Sequence, residues 1–262
     1  RYRFKADYEG YLDNRKKHLY SFELATKKLD TLTRGNYNES DVSISSDGKM
    51  IAYASNVTAS PDQNDNTSIF LLALGAAQNP IKLTTYKGTN RSPKFSPDNQ
   101  SLAYLQASSE DAYDMYDLQQ LAMIDLKTKV IKLLTKNYDR SIANIVWAND
   151  SKSVFALVED DRAQNIMQIN ASSGEVKAFT NEMAVYNGLD VNANGSMVAL
   201  YSNTATPDEI YIASNNNSFQ RITHLQDSFL APLKKVWVKG ISAVASDKNK
   251  VNGILYLPDS NS

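Results

Sequence analysis

The sequence contains no cysteine and only two histidines, His18 and His224, among 262 residues. Disulfides, cysteine-ligated zinc and thiol catalysis are therefore excluded, and no pair of histidines stands at helix spacing to ligate a metal. Neither sign of charge prevails, since 28 Lys and Arg face 29 Asp and Glu for a net charge of −1. With no global basic field, neither nucleic acid nor an anionic membrane is expected as a partner. The longest apolar run, Ile69 to Ala77, is too short to cross a bilayer, and no charged-then-apolar leader opens the chain. Composition leaves the compartment open. What is present is an ordinary globular composition, 42% hydrophobic and 22% charged, long enough for one large domain or two smaller ones.

Self-similarity organises the chain. An apolar-Thr pair recurs at Leu32-Thr33, Leu83-Thr84, Leu134-Thr135, Phe179-Thr180 and Ile222-Thr223, at intervals of 51, 51, 45 and 43 residues. A second marker follows the first four: Ser46-Asp47-Gly48, Pro97-Asp98-Asn99, Asn149-Asp150-Ser151 and Ala193-Asn194-Gly195. The gap from Thr to the Asp or Asn is 14, 14, 15 and 14 residues. Short β-prone runs flank each second marker, such as Val42-Ser43-Ile44 before and Met50 to Ala54 after. Asp-Gly or Asn-Gly between two such runs makes a tight hairpin, because these residues tolerate positive φ.

Another pair of runs precedes each Thr, which gives four antiparallel strands per repeat. That period is the one of propeller blades, in which four-stranded sheets pack face to face around an axis. Stacked helix pairs are excluded because no segment holds a 3.6-residue apolar stripe for three turns. The sequence thus predicts an all-β fold, an incomplete β-propeller of about four and a half four-stranded blades. Blades are expected over 15–56, 67–106, 118–158 and 164–202, with a partial one over 209–230. The run Ile69-Phe70-Leu71-Leu72, apolar on both faces, is expected to be an innermost strand. From Ala231 the pattern changes to two strands that fit no blade, so 1–230 is read as the propeller and 231–262 as a linker and hairpin.

The combination of Arg1-Tyr2-Arg3, Gly10-Tyr11-Leu12-Asp13, Asp139-Arg140 ahead of Ile145-Val146-Trp147, and Ile222-Thr223-His224-Leu225 resembles the prolyl oligopeptidase family (S9) of serine peptidases. Within it, the dipeptidyl-peptidase and acylaminoacyl-peptidase-like branch is the most similar. The tail from Ser246-Asp247 through Val251-Asn252-Gly253-Ile254 to Leu257-Pro258 resembles the entry into that family's α/β-hydrolase domain. The blade markers are shared with other propellers, including those of the TolB type. The resemblance implies a two-domain enzyme in which a propeller covers the active site of a hydrolase and admits short peptides. It implies that residues 231–262 are the linker and first hairpin of a truncated hydrolase domain, and that the chain is a piece of a longer protein. A Gly-x-Ser-x-Gly elbow needs two glycines four apart, and the ten glycines offer no such pair. No catalytic residue, metal or cofactor is therefore assigned, and the chain alone is expected to be inactive.

Alternating loops fall on opposite faces of a propeller disc, and long loops on a rigid scaffold concentrate binding. The longer set comprises Asn56–Asn66, Ala107–Asp117, Glu159–Gln164 and Ser202–Asp208, and the same face carries Tyr37, Tyr86, Tyr138 and Tyr186. This face is expected to meet the substrate or the missing domain. Candidate substrate-binding residues on it are Arg140 and Arg162, whose guanidinium forks suit a carboxylate, and Tyr138 beside Arg140. Glu110, Asp111 and Asp114, in a loop with Tyr113 and Tyr116, suit a peptide's free amine. Structural roles, as inter-blade ion pairs or a solvated acidic loop, compete with each. Expected partners are a short peptide and the hydrolase domain. The alternative is a stand-alone propeller that binds a protein partner; a propeller glycosidase lacks the repeated inner-strand acids it would need.

Overall fold

The structure is a computed structural model that describes residues 5–6, 10–11, 15–61, 63–75, 79–111, 114–213, 218–234 and 236–258. Arg1-Tyr2-Arg3, Leu12-Asp13 and Tyr113 lie outside the described residues. A short pair, β1 (Lys5–Ala6) and β2 (Gly10–Tyr11), is followed by a two-stranded sheet of β3 (Tyr20–Glu23) and β4 (Lys28–Thr31). Two four-stranded antiparallel sheets come next. The first is β5 (Glu39–Ile44), β6 (Met50–Ser55), β7 (Ser68–Ala73) and β8 (Ile81–Lys82). The second is β9 (Asn90–Phe95), β10 (Ser101–Ala107), β11 (Gln119–Asp125) and β12 (Ile131–Leu133). The third blade is β13 (Ile142–Trp147), β14 (Ser153–Asp160), β15 (Ala163–Asn170) and β16 (Val176–Ala178). The fourth is β17 (Val185–Val191), β18 (Met197–Asn203), β19 (Thr206–Ala213) and β20 (Phe219–Arg221). A parallel bridge between Gln164 and Val185 joins these last two into one eight-stranded sheet. A helical turn, α1 (Asp227–Leu230), leads to a separate hairpin of β21 (Trp237–Val244) and β22 (Lys250–Leu257).

This is an incomplete propeller of four blades and half of another. Its phase differs from the sequence expectation. Blades do not run 15–56, 67–106, 118–158 and 164–202, because β4 pairs with no later strand, whereas β6 pairs along its full length with β7. The half blade is β3–β4, and residues 209–221 complete the fourth blade instead of starting a fifth. Periodicity sets the length of a repeat but not its origin, and the Thr is what marks the crossover. Each Thr hydroxyl accepts a backbone N–H in, or just ahead of, the third strand of its own blade. The bonds run from Leu19 to Thr33, Ile69 to Thr84, Leu121 to Thr135, Ile166 to Thr180 and Ile210 to Thr223, at 2.8–3.0 Å. With its fourth strand closed in this way, the chain leaves for the next sheet.

The second marker closes the turn between first and second strands. The Asp47 carboxylate accepts from Ser45 and Lys49, and Asp98 accepts from Ser96 and Gln100. These bonds hold the Asp47 carboxyl below its ordinary pKa. The turns also touch one another, as Ser46 N–H donates to Asn99 Oδ1 at 2.8 Å.

Core packing is a series of inter-blade seams. Ala52, Ala54 and Ile69 of the first blade meet Leu102, Tyr104 and Ile124 of the second. Ala103, Leu105 and Leu121 of the second meet Ile142, Trp147 and Val154 of the third. Phe155, Leu157 and Ile166 of the third meet Tyr186, Leu189 and Met197 of the fourth. The half blade adds Leu19 and Leu32 against Ile51 and Tyr53. First strands contact one another from blade to blade, which places them at the axis. The run Ile69–Leu72 is a third strand, not an innermost one. It is buried on both faces because it is central in a sheet that has neighbours on each side.

Candidate functional site

The face opposite the marker turns carries the β6–β7, β10–β11, β14–β15 and β18–β19 connections together with the inter-blade crossovers. Two of the expected long loops are tight. Asp161 and Arg162 alone join β14 to β15, and Thr204 and Ala205 alone join β18 to β19. Asp161 has φ 43° and Arg162 φ 74°, so both centres of this two-residue turn lie in the left-handed region, where Asn-Gly is favoured.

Beside that turn lies an open pocket of about 510 Å³ at the seam of the third and fourth blades, lined by Arg140, Glu159, Asp160, Asp161, Arg162 and Gln164, with Ala163 and Val185. The crossover from β12 to β13 supplies Arg140. Its Nε donates to Asp160 Oδ1 at 2.7 Å and its Nη1 to the Asp139 backbone and carboxylate. The hydrogen bond that Arg140 donates to Asp160, and then the Asp160 charge, raise the Arg140 pKa. Tyr138 stands beside this pair, packed on the seam of the second and third blades. Burial, and next the Asp160 charge, push its phenol pKa up. Tyr138 thus serves mainly as packing.

Arg162 is turned elsewhere. Its Nη2 donates to Asp161 Oδ2 at 2.8 Å, and its Nη1 donates to the carbonyls of Gly253 at 2.7 Å and Ile241 at 3.2 Å. The hydrogen bond from Arg162, and beyond it one from Asn252, hold the Asp161 carboxyl below its ordinary pKa. Among the charged side chains that line the pocket, Glu159 is the one that makes no hydrogen bond or ion pair to the described residues. Sequence reasoning passed over it, because only the fold shows that its neighbours are internally paired and it is not.

Glu110, Asp111 and Asp114 are not in this pocket. They line a recess of about 50 Å³ with Asp65 and Asp117, by the β10–β11 loop of the second blade. Two of its carboxylates are engaged within the loop: Asp117 accepts the N–H groups of Ser108 and Ser109, and Asp114 accepts that of Tyr116. Glu110 accepts the N–H of Lys87 in the β8–β9 crossover. At the tip, Met115 and Tyr116 are each 91% exposed. Tyr186, expected in a loop, is a buried residue of β17, with its ring against Tyr201 and Phe219. Among the described residues no group of three His, Asp or Glu side chains is placed to hold a metal ion. His18 pairs with Glu39 and His224 with Asp227, each at 2.9 Å.

The route from the fourth blade to the hairpin is fixed by a polar cluster. Glu209, 1% exposed, accepts from Thr223, from Arg221 at 2.9 Å and from Gln226 N–H at 3.2 Å. Arg221 also bridges to Asp227 of α1, which takes the His224 ring. These bonds, the Thr223 hydroxyl first, bring the Glu209 pKa from 4.5 down to about 2. A depressed carboxyl stabilises the fold above its unfolded pKa. That contribution is lost as pH falls from about 4.5 toward 2. The stability difference between the native chain and Glu209→Gln is expected to be largest at neutral pH and to shrink on acidification. Urea unfolding at pH 7 and pH 3 measures it, and a gap independent of pH would exclude the linkage.

The hairpin divides into two faces. By its register, Trp237, Ile241, Val251, Leu255 and Leu257 share one face, and all are exposed. Gly240 and Asn252 lie on the other face, against the third blade. Among the described residues no helix is long and apolar enough to cross a membrane.

No family model matches the sequence. Dipeptidyl-peptidase 5 of Porphyromonas gingivalis is 29% identical over 209 residues, covering 76% of this chain and 30% of that protein. The acylaminoacyl peptidase structure of Pyrococcus horikoshii superposes with a TM-score of 0.65 at 14% identity, covering 92% of this chain and 36% of the other. TolB of Acinetobacter baumannii superposes with a TM-score of 0.56 at 17% identity, covering 93% and 60%. The chain spans about a third or less of the length of the curated relatives it matches.

Proposed function

We propose that this chain, a distant homologue of dipeptidyl-peptidase 5 over its propeller region, forms the non-catalytic lid and substrate filter of a serine peptidase that acts on short peptides. The observation that carries the reading is the hairpin. It follows the last blade, docks on the face with the pocket, and turns an exposed apolar sheet face away from the propeller. Such a face suits continuation of the sheet into a further domain, and the resemblance of its sequence to a hydrolase entry agrees. Residues 1–230 then act as the propeller and 231–262 as the hinge region and first hairpin of the hydrolase.

In this reading a short peptide reaches the hydrolase past the pocket at the third and fourth blades. The free Glu159 carboxylate suits an ammonium group, and Arg140, bound only through Nε and Nη1, keeps Nη2 for a peptide carbonyl or carboxylate. Arg162 contributes by shaping the wall. Glu110, Asp111 and Asp114 would meet a substrate only at the far side of the same face.

The purified chain should release no product from dipeptidyl or acyl-amino-acid chromogenic substrates and should take up no serine-directed fluorophosphonate. The gene product extended beyond Ser262 should do both. In that longer protein, Glu159→Ala with Arg140→Ala should raise KM roughly tenfold with kcat little changed. An extended protein with no reactive serine would overturn the peptidase reading and favour a stand-alone propeller that binds a protein partner.

A further inference from the structure

Most of this fold is held by buried apolar seams, and the C-terminal hairpin is not. None of the described residues from 236 to 258 is buried, and none joins a core cluster. An isolated two-stranded hairpin is marginal in water. Something other than apolar burial must hold this one in place.

The contact is polar and narrow. The Arg162 guanidinium reaches the carbonyls of Ile241 and Gly253, which face each other across the hairpin ladder. Asp161 orients that guanidinium and also receives Asn252 of β22. Gly240 favours the approach, since a Cβ there would lie 3.0 Å from Arg162 Nη1 and the guanidinium would have to give by a few tenths of an ångström. Gly240 carries no positive φ, so its bare backbone is used for space and not for conformation.

The turn itself is built against local preference. Asp161 and Arg162 are the only consecutive non-glycine residues with positive φ among the described residues. Asn-Gly would relieve both positions. A strained pair retained at a turn, with both side chains engaged on the hairpin, points to a role beyond closing β14 onto β15. The other end of the connection is anchored separately, by the cluster of Glu209, Arg221 and Asp227 around α1.

We propose that the Asp161–Arg162 turn is a releasable latch that sets the position of the C-terminal hairpin, with the Glu209–Arg221–Asp227 cluster as its fixed pivot. Docked, the hairpin stands beside the pocket whose wall Arg162 also forms. Released, it swings about the pivot and opens that side of the face. The inference concerns contacts within this chain and holds whether or not the chain serves a peptidase.

Hydrogen–deuterium exchange of the whole 262-residue chain tests it. The double substitution Asp161→Asn with Arg162→Gly keeps an ideal turn and removes the latch. Exchange over residues 237–257 should rise roughly tenfold or more, with 142–170 unchanged or slower. Gly240→Ala approaches from the hairpin side without altering the blade and should raise hairpin exchange in the same direction. Unchanged hairpin exchange in either variant, or loss of protection spreading into the third blade, overturns the latch.

Discussion

Trp147→Ala should lower the free energy of unfolding by about 3–5 kcal/mol. Trp147 ends β13, and its ring is buried in the seam between the second and third blades. Its Nε1 donates to the Lys94 carbonyl at 2.9 Å, a bond between first strands 53 residues apart. Alanine empties part of the seam and leaves that carbonyl without its donor, two penalties of different origin. Trp147→Phe separates them, because it keeps most of the ring and loses only the bond, at about 1–2 kcal/mol. Urea unfolding followed by circular dichroism reads both, independent of the lost fluorophore. A shift below about 1 kcal/mol for the alanine variant would show that the seam collapses around the gap.

Gly174→Ala should cost about 3 kcal/mol or more, for a backbone reason. Gly174 turns β15 into β16 with φ +77°, and a Cβ there would lie 2.3 Å from the Leu134 carbonyl oxygen of the preceding blade. The obstacle is main chain, so no side chain can rotate out of the way. Gly195→Ala is the control, because Gly195 has φ +85° with nothing within 4 Å of the added atom. It should show only the left-handed penalty of about 1–2 kcal/mol. Thermal unfolding of the two variants gives the difference, and equal losses would show that the blades part easily at Leu134.

The parts legible in the sequence were those in which the reason for a residue is local. Asp47 and Asp98 close turns two residues away, and the Thr markers recur because every blade needs the same hydroxyl at the same strand. Hence strand count and architecture could be read. The phase could not, because a repeat written end to end looks the same from any origin. Only β6 pairing with β7, and β4 with no later strand, decides it.

What each candidate side chain binds was not legible. Arg140 and Arg162 line one pocket and Tyr138 packs beside Arg140, yet Arg162 spends its Nη1 on a hairpin 79 and 91 residues away. The acidic trio of Glu110, Asp111 and Asp114 lies around a separate recess. The β14–β15 turn read as a loop because Asp-Arg carries no Gly signal. Glu209 drew no notice, since its meaning depends on Arg221 and Thr223 of the adjoining strand and crossover.

The parallel bridge from Gln164 to Val185 bears on access to the pocket. It ties β15 to β17, and Gln164 adds bonds to the Ala184 and Tyr186 carbonyls, at the seam where the pocket opens. Other seams are crossed by hydrogen bonds from side chains, as from Trp147 to the Lys94 carbonyl; these two blades are also bridged strand to strand by main chain. The aperture between them therefore has rigid jambs. A guest too wide for it finds no give in the frame, and whatever adjustment it needs must come from the side chains at the rim and from the hairpin hung beside it.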